Sequence, residues 1–186
     1  MWALVESNSI TEIIRNPKAL VIGDVQYPKN IFSQWSSSEL EAIGIYSVTM
    51  DYTNAKDSEW YINTNVTYAY ASGAVTGSYG TATAKALTDV LYTAEDETAG
   101  LGTEGDIKTA GLKTEHKRRI NANANSLLQE TDWYVIRAAD GGTAVPSNVA
   151  TYRAAVRTKA NEHTTAIDNA AIVDALAALT FTWPTL

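Results

Sequence analysis

The sequence predicts an α+β protein, with a small antiparallel β-rich N-terminal domain followed by a C-terminal antiparallel helical bundle. Three observations point there. Residues 1–80 contain short runs of β-branched and aromatic residues with period-two alternation, separated by turn-forming polar residues and glycines. Residues 107–186 carry apolar residues at helical spacing instead. Between them, residues 81–106 are rich in Thr, Ala, Gly and acids and read as a connector.

Taken in order, Trp2–Glu6 and Ile10–Ile14 flank the polar turn Ser7-Asn8-Ser9 and predict a hairpin. Leu20–Ile22 and Val25–Tyr27 are two further extended pieces around Gly23-Asp24. Ser36 with Glu39 three residues on is a capping-box pattern; Leu40 and Ile43 give that short helix an apolar face, and Gly44 stops it. Ile45–Met50, Trp60–Ile62, Val66–Tyr70 and Val75–Tyr79 read as strands, the last two joined at Ala71-Ser72-Gly73.

Thr81–Tyr92 fits one helix with Ala84, Leu87, Val90 and Leu91 on its apolar face, after which Glu95-Asp96-Glu97 and Gly100, Gly102 and Gly105 break regular structure. Ile120, Ala124, Leu127 and Leu128 form one helical stripe within residues 107–130. Asp132 caps a short helix holding Trp133, Val135 and Ile136, closed by Gly141-Gly142. Val145-Pro146-Ser147 opens a longer helix with Tyr152, Val156, Ala160, His163 and Ile167 in line, and a last helix carries Ile172, Val173, Leu176 and Leu179.

Composition excludes several chemistries. The chain of 186 residues has no cysteine and two histidines, which removes disulfides, thiolate metal sites and cysteine nucleophiles. A net charge of −7 argues against broad binding to nucleic acid or to anionic membrane. All of that charge falls in residues 1–100, which hold five Lys/Arg and twelve Asp/Glu; residues 101–186 hold nine of each. The chain opens without a basic region followed by an apolar stretch. Its longest wholly apolar run is Ala175–Leu179, against the roughly 20 residues that span a bilayer, so a soluble protein without membrane insertion is expected.

The motifs point to packing rather than catalysis. Gly100–Gly105 matches G-x-G-x-x-G, but it follows an acidic run, places Glu104 where phosphate would sit and has Asn at position 125, where a ribose-binding acid is needed. Adjacent acids such as Glu95-Asp96-Glu97 do not converge on a metal. There is no G-x-S-x-G elbow; His163 lies on a helix stripe and His116 stands beside Lys117-Arg118-Arg119. No catalytic residue, cofactor or metal is therefore expected. The basic run, with Lys113 one turn earlier, lacks the interleaved aromatics of a nucleic-acid surface and reads as a solvated face or a contact to the acidic half of another copy. The five tryptophans are expected mainly in cores. Trp60, Tyr68, Tyr70 and Tyr79 are also candidates for an interface, including a receptor- or carbohydrate-binding one.

One stretch carries a family resemblance. Arg118-Arg119, Asn123, Leu127-Leu128 and Thr131-Asp132-Trp133 are followed by Val145-Pro146 and Tyr152-Arg153-x-x-x-Arg157, with Trp183-Pro184 near the end. This resembles the C-terminal helical module of bacteriophage tail assembly chaperones and tail-fibre assembly proteins, over residues 116–160 and the tail. Val156 stands where such families often have leucine, and the Ala-rich run after Lys159 is a second departure. The segments around Tyr27-Pro28 and Ala42–Tyr46 resemble the β-rich heads found before such modules. The resemblance implies a non-enzymatic phage protein working by contact with other tail or fibre proteins, or with itself, in the host cytoplasm during assembly or in the virion tail. At the corner, Thr131 or Asp132 is expected to cap the next helix, Trp133 to fill the gap between two helices, and Arg153 and Arg157 to reach Asp132 or Glu130.

Overall fold

Ser7 and Asn8 both adopt positive φ (51° and 63°), the conformation of a tight two-residue hairpin turn, and they join strand β1 (Trp2–Glu6) to β2 (Ser9–Ile14) as the sequence predicts. Ser72 and Gly73 repeat this device further on (52° and 78°). The computed structural model describes residues 1–186 and divides into two units, 1–83 and 84–186.

In the first unit, β1 and β2 are followed by the hairpin β3 (Leu20–Ile22) and β4 (Val25–Tyr27), two short helices α1 (Ile31–Gln34) and α2 (Ser37–Ala42), and β5 (Ile45–Asp51). Then come β6 (Tyr61–Ile62), β7 (Thr67–Ala71) and β8 (Ala74–Ser78), and β9 (Thr83–Ala84) falls on the boundary itself. Five strands form one sheet in the order β2-β1-β5-β8-β7. The sheet is mixed rather than antiparallel, because β5 and β8 run parallel, with Val48 opposite Val75. The chain leaves β5, crosses through residues 52–66 to β7 and turns back as β8, which brings β8 in beside β5 in the same direction.

Both faces of this sheet are covered. Leu4, Ile14 and Ile45 face Leu20, Ile31 and Leu40 from β3, α1 and α2, with Trp2 and Phe32 stacked at 4.8 Å beside them. Ala3, Val5 and Val75 lie on the other face with Ile10, Ile13, Tyr46, Val48 and Tyr70. A bulge makes that second face possible: between Leu4 and Val5 the register shifts, so Ile10 and Ile13, three residues apart, point the same way. The sheet curls until its edge strands β2 and β7 approach each other, closing over Ala3 and Val75. Each large aliphatic group removed from water in these clusters contributes about 1.5–3 kcal/mol.

The capping box forms as expected. The Ser36 N–H donates to Glu39 Oε2 (2.7 Å) and the Glu39 N–H to Ser36 Oγ (3.4 Å), with Leu40 buried beneath. Gly44 then takes φ +84°, and a Cβ there would stand 2.6 Å from the Val5 carbonyl oxygen.

The second unit corrects the reading of residues 81–106. No helix spans Thr81–Tyr92; Thr83–Ala84 and Val90–Leu91 (β10) are extended, and β10 pairs with β11 (Ile107–Thr109). Nor do the three acids break structure: they occupy the first turn of α3 (Ala94–Thr98), capped by Thr93, where negative charge opposes the positive helix end. Lys108 bonds Asp96 (2.8 Å), and that ammonium, with the Thr93 N–H, holds the Asp96 carboxyl below its ordinary range. The apolar spacing in 81–92 was compatible with a helix, but the pairing partner Ile107–Thr109 lies too far along the chain for periodicity to reveal.

Helices α4 (Leu112–Gln129), α5 (Asp132–Ala139), α6 (Ser147–Asn169) and α7 (Val173–Ala177) follow. The helices are organised by one antiparallel pair, α4 against α6; α5 and α7 are short. The α6 stripe of Tyr152, Val156, Ala160, His163 and Ile167 is buried throughout, as are Ile120 and Ala124 on α4, the helix that packs against it. Leu127 and Leu128 are only half-buried, and Ile172 is exposed. The tail returns over α6, where the Thr182 carbonyl accepts a bond from His163 Nε2 (2.9 Å) and Phe181 and Trp183 meet the imidazole edge-on.

Asp89 closes the start of α4 from 22 residues away. The Gly111 N–H donates to its Oδ1 (2.7 Å) and the Thr114 hydroxyl to its Oδ2 (2.8 Å), and these bonds hold its carboxyl below the ordinary carboxylate range. A folded-state pKa below the unfolded one gives stability that is complete above about pH 4 and is lost as pH falls through the folded value. Asp89→Asn is expected to lower Tm at pH 7 and to remove part of the decline in Tm below about pH 4, read by thermal melts across pH. In the first unit, Gly44→Ala is expected to cost about 1–2 kcal/mol from its left-handed backbone alone, and more from the clash with Val5, as measured by urea unfolding.

Candidate functional site

The residues that carry the family resemblance meet where α4 ends and α5 begins. Helix α4 stops at Gln129, and a helix end leaves carbonyls without partners. Arg153 adds a charged donor at one of them, the Leu128 carbonyl, which also receives the Thr131 N–H (3.1 Å). It is 8% exposed on α6, one residue past the Tyr152 of the buried stripe, so the α4–α6 packing itself points its guanidinium at the corner. Arg153 Nη1 donates to the Leu128 carbonyl (2.7 Å) and to Thr131 Oγ1 (2.7 Å), and Nη2 pairs with Asp132 Oδ1 (2.9 Å). The Thr131 hydroxyl, itself buried, also donates to the Leu128 carbonyl (3.0 Å). One planar cation thus satisfies a carbonyl, a hydroxyl and a carboxylate in a fixed fork.

Three expectations for this corner change. Neither Thr131 nor Asp132 caps α5 through its side chain: the Thr131 oxygen is committed to Leu128 and Arg153, and Asp132, already the first residue of the helix, turns its carboxylate to Arg153. Trp133 does not fill a gap between helices: it is 51% exposed and stacks on Tyr134 (centroids 3.7 Å apart) with the Arg137 guanidinium over its ring (4.9 Å). Arg157 is exposed and makes no ion pair, so the ionic link across the corner belongs to Arg153 and Asp132 alone. Tyr152 is buried in the stripe as a packing residue.

The basic run on α4 is spent within the second unit. Lys113 Nζ donates to the Asp168 carbonyl and Lys117 Nζ to Asp168 Oδ1 (both 2.8 Å), which places two cations at the negative end of α6. Arg118 pairs with Glu115 (2.6 Å), and the Arg119 guanidinium lies against the buried His116 ring. The Gly100–Gly105 segment follows a helix end instead of preceding a helix start; Tyr92 covers Gly102, and the Gly105 N–H donates to the Tyr92 carbonyl (3.0 Å). That geometry leaves no helix N-terminus to receive a pyrophosphate. No three His, Asp or Glu side chains gather to hold a metal, and no helix is long and apolar enough to cross a membrane.

In the first unit the aromatic candidates are half-buried and engaged with neighbours. The Tyr70 hydroxyl donates to that of Tyr46 (3.2 Å). The Tyr68 ring lies over Gly77, where a Cβ would come within 2.9 Å of it. Tyr79 faces the exposed Tyr52 at 5.9 Å. Trp60 follows a turn in which its N–H donates to the Asp57 carbonyl (3.1 Å). Tyr68 and Tyr70 share the second face of the sheet with Val75 and Gly77, so their rings serve the curl.

Sequence reasoning missed Arg137 and Asp140, which continue the Trp133–Ile136 face of α5 at i+4 and i+7. Their signal in the sequence is helical spacing alone. Comparison of the chain with protein-family models, curated proteins and solved structures finds no match.

Burial separates the two prominent corner residues. Arg153→Ala takes the donor from the buried Thr131 hydroxyl and the cation from Asp132, leaving the Leu128 carbonyl to the Thr131 donors alone, and is expected to cost about 2–4 kcal/mol. Trp133→Ala, on an exposed ring, is expected to cost no more than about 1 kcal/mol. Chemical denaturation of the two variants checks the order.

Proposed function

We propose that this is a non-enzymatic bacteriophage tail protein acting by protein–protein contact, in the tail or fibre of the virion or as the chaperone of its assembly. The observation that carries the reading is the convergence of Leu128, Thr131, Asp132, Tyr152 and Arg153 at one corner of the second unit, since these positions bear the resemblance. A cation that joins a helix end to the next helix fixes shape and leaves chemistry to other molecules. In this reading the curled sheet of the first unit recognises a tail or fibre partner, and the helical unit is the scaffold and a second contact.

The test is mass spectrometry of purified virions of the phage that carries the sequence, together with affinity capture from infected cells. Multiple copies per particle are expected for a virion component. Capture with a tail or fibre protein, without retention in particles, is expected for a chaperone. Absence from both overturns the proposal.

A further inference from the structure

Helix α5 runs out at Asp140-Gly141-Gly142, which holds the single Asp–Gly step of the chain; there is no Asn–Gly step. A glycine nitrogen has no neighbouring side chain to shield it, so it can attack the carboxyl carbon of a preceding aspartate and close a five-membered ring. Asp140 is open to that reaction. It is exposed, and its carboxylate holds no hydrogen bond or ion pair. It stands at the C-cap, beside the negative end of α5, where losing its charge relieves a repulsion.

The backbone at this step is loosely held. Residues 141–144 are exposed and lie in no helix or strand. Gly141 takes φ +82°, and its N–H reaches the Ala138 carbonyl at 3.3 Å, longer than the usual roughly 2.7–3.2 Å. Asp140 has ψ 11°, and ring closure needs that angle to rotate. Helix ends fray, and α5 buries none of its residues, so opening of its last turn supplies the rotation. The Asp and Asn residues that precede a serine are better restrained. Ser9, after Asn8, pairs with Glu6 in the β1–β2 ladder, Asp57 Oδ1 accepts the Glu59 N–H (2.8 Å), and Asn125 lies inside α4.

We propose that Asp140–Gly141 is a site of spontaneous succinimide formation and isoaspartate conversion. The Gly141 nitrogen bonds to Asp140 Cγ, and one carboxyl oxygen departs as water, taking the proton of that nitrogen and one from solvent. A second water then opens the ring and releases a proton. Attack at Cγ restores aspartate; attack at the α-carbonyl leaves the main chain running through Cβ and Cγ, with a free α-carboxylate. Nothing is oxidised or reduced. The extra main-chain carbon lengthens the link from α5 to α6 and displaces the Gly142 N–H from the Arg137 carbonyl, to which it donates at 3.0 Å. The product is the substrate class of an isoaspartyl methyltransferase, which esterifies that α-carboxylate with the methyl group of S-adenosylmethionine. The site goes beyond the tail-protein reading and does not rest on it.

The experiment is ageing of the purified full chain for several weeks at physiological pH and temperature. Samples are digested with trypsin, and the digest is given isoaspartyl methyltransferase and radiolabelled S-adenosylmethionine. Label in the peptide of residues 138–153 is expected to rise with time. The peptide keeps its mass, apart from a minor fraction lighter by one water. Asp140→Glu, which would need a six-membered ring, and Gly141→Ala, which shields the nitrogen, are each expected to slow the rise several-fold. Asp140→Asn is expected to speed it, because ammonia leaves more readily than water. Label that stays at its starting level overturns the proposal. So does label that collects mainly in other peptides, or a rise that is unchanged in Asp140→Glu.

Discussion

Helix α4 is satisfied at both ends by groups that come from elsewhere in the second unit, and the arrangement of that unit follows from this. At its start, the Gly111 N–H goes to the Asp89 carboxylate, while the Leu112 and Lys113 N–H groups go to the Ala86 and Leu87 carbonyls. At its finish, the Leu128 carbonyl is taken by Arg153 and Thr131. Unpaired backbone groups at a helix end cost free energy unless water or another group takes them. The first requirement draws residues 84–89 onto the start of α4, and β10 pairs with β11 just beyond. The second fixes where α5 departs and which way α6 must face.

Arg153 therefore does the work that the Thr-Asp-Trp corner suggested for an indole. A guanidinium reaches three acceptors in fixed directions, which an apolar plug cannot do, and its burial is tolerable only because those acceptors are present. Released from the interior, Trp133 is left on the outer face of α5 with Arg137. The corner thus has an inner ionic side that specifies shape and an outer aromatic side that remains for contact. The same division appears in the first unit, where Tyr68 and Tyr70 close the curl of the sheet while Tyr52 stays in water.

Charge takes on a different meaning once the true boundary is known. Divided at residue 100, the chain has all of its net charge in the first part; divided between residues 83 and 84, the units carry −4 and −3. The contrast arises because a division at residue 100 separates Asp89 and the acids of α3 from the helices they belong with. Those acids belong with the helices, where they cap α4, occupy the first turn of α3 and hold Lys108. The basic run on α4 likewise stabilises the end of α6 rather than presenting a free positive surface.

Local pattern alone determined the hairpin at Ser7-Asn8, the Ser36/Glu39 capping box, the stop at Gly44 and the α6 stripe. Each is set by a few adjacent residues whose backbone preferences or helical spacing leave little choice. The Arg153–Asp132 pair was legible for a related reason, since a short turn brings neighbouring helices together. What the sequence left open was decided by partners distant along the chain. The parallel pairing of β5 with β8, the strands in place of a helix within 81–92, and the cap from Asp89 all depend on such partners. So did the exposure of Trp133: spacing puts Trp133, Ile136, Arg137 and Asp140 on one face of α5, but only the packing of α4 against α6 determines that this face is turned outward.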